Sequence, residues 1–161
     1  MEPTVQVIPP NTADPDERAA YVVLAEARRR WHKRLADARI VLAWAMAWRA
    51  DADGHTKLAE AVRAGDLDRQ LHGWDFVVLL NREEWLGAEF SRAQMLSLVD
   101  HELCHCAARL DKYGEQVQDS EGRGSWRIRR HDVEEFVEVV RRHGLWKADL
   151  EQFARAAGRK E

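Results

Sequence analysis

The chain has 161 residues, of which 45% are hydrophobic and 33% are charged, and its formal net charge is -3. This is the composition of one globular domain, so it excludes a disordered chain and gives no global reason to expect nucleic acid as the main partner. No apolar run approaches the roughly 20 residues of a membrane-spanning helix. The N-terminus has no signal-peptide pattern, so we expect a cytoplasmic protein.

Residues 1–13 are rich in proline and predict a flexible lead-in to a single domain over residues 14–161. The first helix is predicted to begin at Asp14, with Pro15 in the first helical position and Glu17 completing a capping box. Its apolar positions follow at spacings of three and four: Ala20, Leu24, Ala27, Trp31 and Leu35.

Two apolar segments predict strands, one through Ile40–Trp44 and one over residues 75–81, and a short helix is predicted between them near residues 56–64. The next helix should begin after Ser91, with Gln94 completing its capping box, and run straight to about residue 111. Its predicted buried stripe consists of Met95, Val99, Leu103, Cys106 and Leu110. An extended segment at residues 125–130 and helices near 132–142 and 147–157, divided at Gly144, complete the chain.

The segment HELCH, residues 101–105, lies inside the helix that begins after Ser91. Histidines at positions i and i+4 of a helix share one face, so His101 and His105 can hold one zinc ion at about 2.0–2.1 Å each. Glu102 points about 100° away from His101, so it is available as the base beside the metal. A Lewis acid with an adjacent carboxylate is what a metal hydrolase requires.

A catalytic zinc takes three protein ligands, so the sequence must supply a third. His131 is the first candidate because it stands at the predicted start of a helix. Glu135 is the second candidate, since it would share a helical face with His131 and could exchange roles with it. Asp111 is the third, because no glycine at residue 108 turns the chain back toward the motif.

The two cysteines, Cys104 and Cys106, would point to opposite sides of the helix. They cannot bridge each other there, and one helix cannot aim both of them and both histidines at a closed structural zinc site. We therefore interpret them as small packing residues. Tyr113 and His143 are the side chains available as oxyanion donors, and Tyr113 is more simply explained as packing at the helix end.

A nucleic-acid-associated binding protein with a structural or vestigial zinc site is the alternative. Four arginines surround Trp126, and such a segment can contact single-stranded nucleic acid through phosphates and stacking. They are Arg123, Arg127, Arg129 and Arg130. A solvated strand edge explains the same residues, and a peptidase that acts on DNA-bound proteins would combine both functions.

Four segments together, DFVVLLN, DHELCH, HDVEEF and RRHGLW, resemble the phage metallopeptidases, which belong loosely to the zincins near the SprT-like group. The similarity covers about residues 20–145. It implies that His101 and His105 are zinc ligands, that Glu102 is the catalytic acid and base, and that His131 occupies the third-ligand position. It also implies a phage or prophage origin and work inside a bacterial host.

The sequence thus predicts an α+β, zincin-like fold in which a small sheet packs against the HExxH helix, with additional helices around it. The predicted function is hydrolysis of protein or peptide substrates by a zinc metallopeptidase, with Zn²⁺ as the cofactor.

Overall fold

The fold is described for residues 4–158 by a computed structural model. The chain divides into two units, Met1–Arg129 and Arg130–Glu161, and each is described by itself. Residues 1–3 of the predicted lead-in and residues 159–161 of the predicted domain lie outside the described residues. The single-domain organisation of residues 14–161 stays a prediction.

A four-stranded mixed sheet forms the centre of the first unit, with strands in the order β1-β2-β4-β3. The strands are β1 (Thr4–Ile8), β2 (Ile40–Met46), β3 (Ala59–Arg63) and β4 (Phe76–Asn81). Strands β2 and β4 are parallel, whereas β1 and β3 pair antiparallel with them and form the two edges. The strands predicted at Ile40–Trp44 and residues 75–81 are therefore confirmed, and the fold is α+β.

The two edge strands correct two predictions. The lead-in was expected to be flexible, but Thr4–Ile8 pair with β2, and the Tyr21 hydroxyl donates a hydrogen bond of 2.6 Å to the Ile8 carbonyl. The short helix predicted near residues 56–64 is wrong, because Ala59–Arg63 pair with β4. Alanine and glutamate are good helix formers, but helix propensity is a small energy, and pairing with a buried strand overrides it.

Helix α1 (Pro15–Trp31) begins as predicted, since the Asp14 side chain accepts hydrogen bonds from the N–H groups of Asp16 and Glu17. The predicted capping box is not formed, because the Glu17 carboxylate accepts from the Thr12 hydroxyl and from Trp44 Nε1. The predicted apolar face is buried at Ala20, Leu24, Ala27 and Leu35, but Trp31 is exposed.

Helix α2 (Asp66–His72) and helix α3 (Arg82–Trp85) are short and flank β4 in the chain. Helix α4 (Arg92–His105) follows, and its predicted capping box between Ser91 and Gln94 is present. The prediction that this helix runs straight to residue 111 is wrong. It ends at His105, and the chain becomes the strand β5 (Cys106–Ala108), which pairs with β6 (Trp126–Ile128).

The core of the first unit lies between the sheet and helices α1 and α4. It contains Val23 and Leu24 from α1, Leu42 and Trp44 from β2, Val78 and Leu80 from β4, and Val99 and Leu103 from α4. Trp126 of β6 is buried as well, and its ring lies 5.7 Å from that of Phe76 in an edge-to-face arrangement. Among the described residues, no helix is long and apolar enough to cross a membrane.

The second unit contains helix α5 (Val137–His143) and helix α6 (Ala148–Gly158), separated at Gly144 with a positive φ of 68°. Helix α5 begins later than the predicted residue 132, so His131 and Glu135 do not share a helical face. The Glu135 carboxylate instead accepts hydrogen bonds from the Phe136 N–H at 2.8 Å and Trp146 Nε1 at 3.2 Å.

Candidate metal centre

The last turns of α4 bring two imidazoles together. The rings of His101 and His105 have centroids 5.1 Å apart and an interplanar angle of 72°. One ligand nitrogen of each lies within 4.8 Å of one nitrogen of the other. This proximity follows from their spacing of four residues, which places both side chains on one face of the helix.

The His105 ring is oriented by the backbone of Arg129. His105 Nδ1 lies 2.6 Å from the Arg129 carbonyl oxygen, and the Arg129 N–H donates to the His105 carbonyl at 2.7 Å. Because a carbonyl oxygen can only accept, Nδ1 must carry the proton, which leaves Nε2 as the basic nitrogen. A bond of this kind is the usual support of a metal-binding histidine.

Glu102 lies on the inner side of α4. Its side chain is buried, with 5% exposure, and its Oε2 accepts a hydrogen bond of 2.7 Å from the Ala61 N–H of β3. The carboxylate is therefore held by the edge strand of the sheet next to the His101 and His105 pair. A carboxylate in this position is suited to proton transfer, because its surroundings fix its orientation.

Partial burial shifts the protonation of His101 toward the neutral form. The pKa of His101 lies below its ordinary value, mainly because burial disfavours the charged ring and secondly because His105 is close. The Asp100 carboxylate opposes this shift of the pKa. Since only neutral imidazole binds a metal, the shift suits His101 to this role.

The residues present therefore fit a zinc ion. Two imidazoles lie close enough to share one ion, and the Arg129 carbonyl selects the tautomer of one of them. Nitrogen donors of this type suit zinc well.

The three candidates for a third ligand occupy different surroundings. Asp111 lies in an exposed turn, where its Oδ1 accepts from the N–H groups of Tyr113 and Glu115. Glu135 is engaged by Phe136 and Trp146 in the second unit. His131 also belongs to the second unit, two residues after Arg129 in the chain. The identity of the third ligand stays a prediction.

The cysteines differ from each other. Cys106 is fully buried, its Sγ lies 3.7 Å from the Glu102 carbonyl oxygen, and burial raises the pKa of its thiol to about 12. A thiol that stays protonated is a poor metal ligand, because the thiolate is the binding form. This environment supports the interpretation of Cys106 as a packing residue.

Cys104 lies in a second group of ligand-type side chains that the sequence does not signal. Its Sγ, a nitrogen of His32 and an oxygen of Asp100 lie within 4.8 Å of one another. His32 is 4% exposed, and its Nε2 lies 2.6 Å from Asp100 Oδ1. The pair is 68 residues apart in the chain, so only the packing of α1 on α4 brings it together.

The two oxyanion-donor candidates belong to different units of the chain. Tyr113 is 77% exposed in the turn that Asp111 caps, and His143 ends α5 in the second unit. Neither role is tested by this geometry, and both stay predictions.

The arginine-rich segment around Trp126 was predicted to offer an aromatic ring for stacking and arginines for phosphate contact, and the structure differs at the ring. Trp126 is buried, so it offers no exposed face on which a base could stack. Arg123 donates to the Gly73 carbonyl and to Asp75, and Arg129 donates to the Cys104 carbonyl. Arg127 and Arg130 are exposed. Nucleic-acid contact through these arginines stays a prediction.

Comparison with known protein families matches residues 13–157 to the family described as "Putative phage metallopeptidase". A search of curated proteins and a search of solved structures each found no match. The family match covers β2, β3, β4 and α4, all of α5, and α6 up to its penultimate residue, whereas β1 precedes it.

Proposed function

We propose, from the premise that the chain belongs to the phage metallopeptidase family, that it hydrolyses peptide bonds with a zinc ion held by His101, His105 and His131. The observation that carries the proposal is the geometry of α4. One helix presents two imidazoles with centroids 5.1 Å apart, next to a buried carboxylate that the sheet edge holds in place.

A bound zinc supplies a Lewis acid that activates water and polarises a peptide carbonyl. The residues of the chain supply the proton transfers and the orientation. Glu102 takes a proton from the attacking water and returns it to the leaving amine. The Ala61 N–H keeps the Glu102 carboxylate aimed during both steps, and the Arg129 carbonyl keeps His105 Nε2 as the donor nitrogen.

Chain connectivity favours His131 as the third ligand. Two residues can span at most about 7 Å, so His131 cannot lie far from Arg129, which is bonded to His105 in both directions. His131 therefore completes the proposed ligand set.

The proposal places the reaction in the cytoplasm of a bacterial host, because the description of the family names phage. The rival proposal is a nucleic-acid-associated protein with a structural or vestigial zinc site, in which Arg127 and Arg130 contact phosphates. Salt-dependent binding of an oligonucleotide by the Glu102→Gln protein would favour that rival.

The test combines metal content with hydrolysis of an unstructured protein such as casein. We expect about one zinc per chain by mass spectrometry, lost in His101→Ala and in His105→Ala because each change removes a ligand. Glu102→Gln should keep the zinc but lower the rate by about 10²–10⁴-fold, the usual contribution of a general base.

His72→Ala is the matched control, because His72 stacks on Trp74 and has no place in the proposed site. It should keep both zinc and activity. A wild-type protein that cannot take up zinc would remove the basis of the proposal. Full activity in Glu102→Gln would refute the role of the carboxylate.

A further inference from the structure

A group of ligand-type side chains outside the candidate centre lies where α1 ends against α4. A nitrogen of His32, an oxygen of Asp100 and Cys104 Sγ lie within 4.8 Å of one another. Asp100 and Cys104 are four residues apart on α4, so their side chains share one face of the helix. That face is about 100° from the face of His101 and His105, so the two pairs point in different directions from the helix axis.

The packing around His32 fixes its position but satisfies only one of its ring nitrogens. The residue is 4% exposed, and its Nε2 lies 2.6 Å from Asp100 Oδ1. The other nitrogen, Nδ1, is buried and has no hydrogen-bond partner among the described residues. A buried polar atom without a partner costs free energy, so the bond to Asp100 alone does not explain why a histidine stands at this position.

The electrostatics of this position favour a cation. His32 is the residue after the last turn of α1, and Cys104 is the penultimate residue of α4. The C-terminal end of a helix carries partial negative charge on its carbonyls, so two such ends meet beside the group. Arg34, which donates to the Leu103 carbonyl, opposes this field in part. The Asp100 carboxylate and a Cys104 thiolate add two negative charges, which balance a divalent ion.

The spacing of the three side chains suits a tetrahedral ion. Ligand atoms of one zinc ion lie about 3.3–3.7 Å apart, because the bonds to zinc are about 2.0–2.3 Å long. The bonded atoms of His32 and Asp100, now 2.6 Å apart, would have to separate by about 0.7 Å, and Cys104 Sγ already lies within 4.8 Å of both side chains. Asp100 and Cys104 are partly exposed, so an ion can reach the group from solvent. Imidazole, carboxylate and thiolate are all ligands that zinc accepts.

We infer that His32, Asp100 and Cys104 form a second metal site, which binds a divalent ion of the zinc type and links the end of α1 to α4. Three protein ligands leave a fourth position for water. Binding must release the thiol proton and break the hydrogen bond between His32 and Asp100, so this site is weaker than the proposed three-histidine site. The purified protein therefore holds the ion of the three-histidine site, and the second ion enters when metal is supplied in excess. The second site does not depend on the proposed peptidase function.

Titration of the metal-free full chain with Co²⁺ tests the second site, because a thiolate bound to cobalt absorbs in the near ultraviolet, whereas cobalt bound by nitrogen ligands lacks this band. A phosphine reductant keeps the thiols reduced without binding cobalt as a thiol would. We expect the band in the wild-type protein and in the double variant His101→Ala, His105→Ala. Cys104→Ser should abolish it, and Asp100→Asn should shift the titration to higher cobalt concentrations. In excess zinc, the wild-type protein should bind one more ion per chain than Cys104→Ser.

Cys106→Ala is the matched control, because the chain has two cysteines and Cys106 is the fully buried one. It should keep the band, and Cys106→Val, which is close to cysteine in volume, replaces it if the alanine variant does not fold. A wild-type protein without the band, or a folded Cys104→Ser protein that keeps it, overturns the second site. Loss of the band in the folded Cys106 variant contradicts the ligand set, and its loss in the double variant would assign Cys104 to the first site. A band that only the Cys104 and Asp100 variants weaken or lose supports the second site, whether or not the chain hydrolyses peptides.

Discussion

His101 and Glu102 are consecutive residues, yet their surroundings are opposite. His101 is exposed, whereas Glu102 is 5% exposed and bonded to β3. Successive residues of a helix point about 100° apart, which separates a face for metal ligands from a face for the base. The sequence therefore predicts that His101 and Glu102 have different roles. It does not predict that Ala61 binds the Glu102 carboxylate, because Ala61 lies 41 residues away in the chain.

The third ligand gives the first prediction at this scale. His131→Ala should strip zinc from the protein, whereas Glu135→Gln should leave zinc affinity nearly unchanged. Glu135 accepts hydrogen bonds within the second unit, so Glu135→Gln should disturb only these local contacts, of which the single glutamine oxygen can keep one, from Phe136 or from Trp146. Competition with a chromogenic zinc chelator measures both affinities.

A loss of zinc in Glu135→Gln as large as that in His131→Ala would contradict the proposed ligand set. Zinc retention in His131→Ala combined with zinc loss in Asp111→Asn would transfer the role to Asp111.

The buried thiol of Cys106 gives a prediction about alkaline stability. The pKa of this thiol is about 12 in the folded chain, because burial disfavours the thiolate. In the unfolded chain a cysteine titrates near about 8.5. Between these values the unfolded state has lost the proton and the folded state keeps it, so the free energy of unfolding falls as pH rises.

This fall should begin above about pH 8.5 and reach at most about 1.4 kcal/mol per pH unit from this group. Urea denaturation between pH 8 and pH 10.5 measures it. In Cys106→Ala the slope should be smaller by that contribution, although the variant starts less stable because a packed side chain has been shortened. An unchanged slope in Cys106→Ala would show that the thiol is not its source.

At the scale of elements, the sequence predicts the strands that are themselves apolar. It does not predict the strands that form only because a neighbouring strand pairs with them. The sequence predicts β2 and β4 because their residues are buried and aliphatic. It misses β3, whose Ala-Glu-Ala-Val-Arg sequence has no strand signal without β4 beside it. It also misses the end of α4, since the extended conformation of Cys106 depends on pairing with Ile128.

Three loops of the first unit have the same sequence pattern, D-x-x-G-x, and the same backbone conformation. They are residues 51–55, 111–115 and 119–123. In each, the aspartate side chain accepts N–H groups two and four residues later, and the glycine has a positive φ between 77° and 84°. Each loop thus satisfies its own backbone donors without help from the core.

The first of these loops allows a test of the backbone geometry. Gly54 has φ +84°, and a Cβ atom there would meet nothing within 4 Å, so only conformational strain acts against a side chain. Gly54→Ala should lower the free energy of unfolding by about 1–2 kcal/mol, the cost of a left-handed conformation for an ordinary residue. Gly54→Asn should cost less, because asparagine tolerates this region.

Urea denaturation of both variants provides the measurement. Equal losses in the two variants would point to a cause other than backbone strain, since the position has open space for either side chain.

At the scale of the whole molecule, the two units differ in the number of buried apolar side chains that can stabilise each of them. The first unit has a sheet with helices packed on it and contains nearly all buried apolar side chains of the described residues. The second has helices of 7 and 11 residues, and Leu150 is its buried hydrophobic residue. Isolated helices shorter than about 12–15 residues are marginal in water.

A synthetic peptide of residues 130–161 should therefore be largely unfolded on its own. Circular dichroism at 222 nm at 25 °C measures this, with addition of trifluoroethanol as a control for the ability to form helices. A strong helical signal in buffer alone would show that the second unit is stable without the first.

The paired hydrogen bonds between His105 and Arg129 have a consequence for the kinetics of metal exchange. They attach the end of β6 to the end of α4, with His131 on a tether of two residues. A tether this short gives the third ligand an effective concentration of millimolar or more. In the proposed ligand set, His131 would bind an ion already held by His101 and His105 faster than the ion dissociates from them. If His131 detached, it would rebind before His101 and His105 released the ion. Zinc should then leave this protein slowly, at a rate set by the tether rather than by any single ligand.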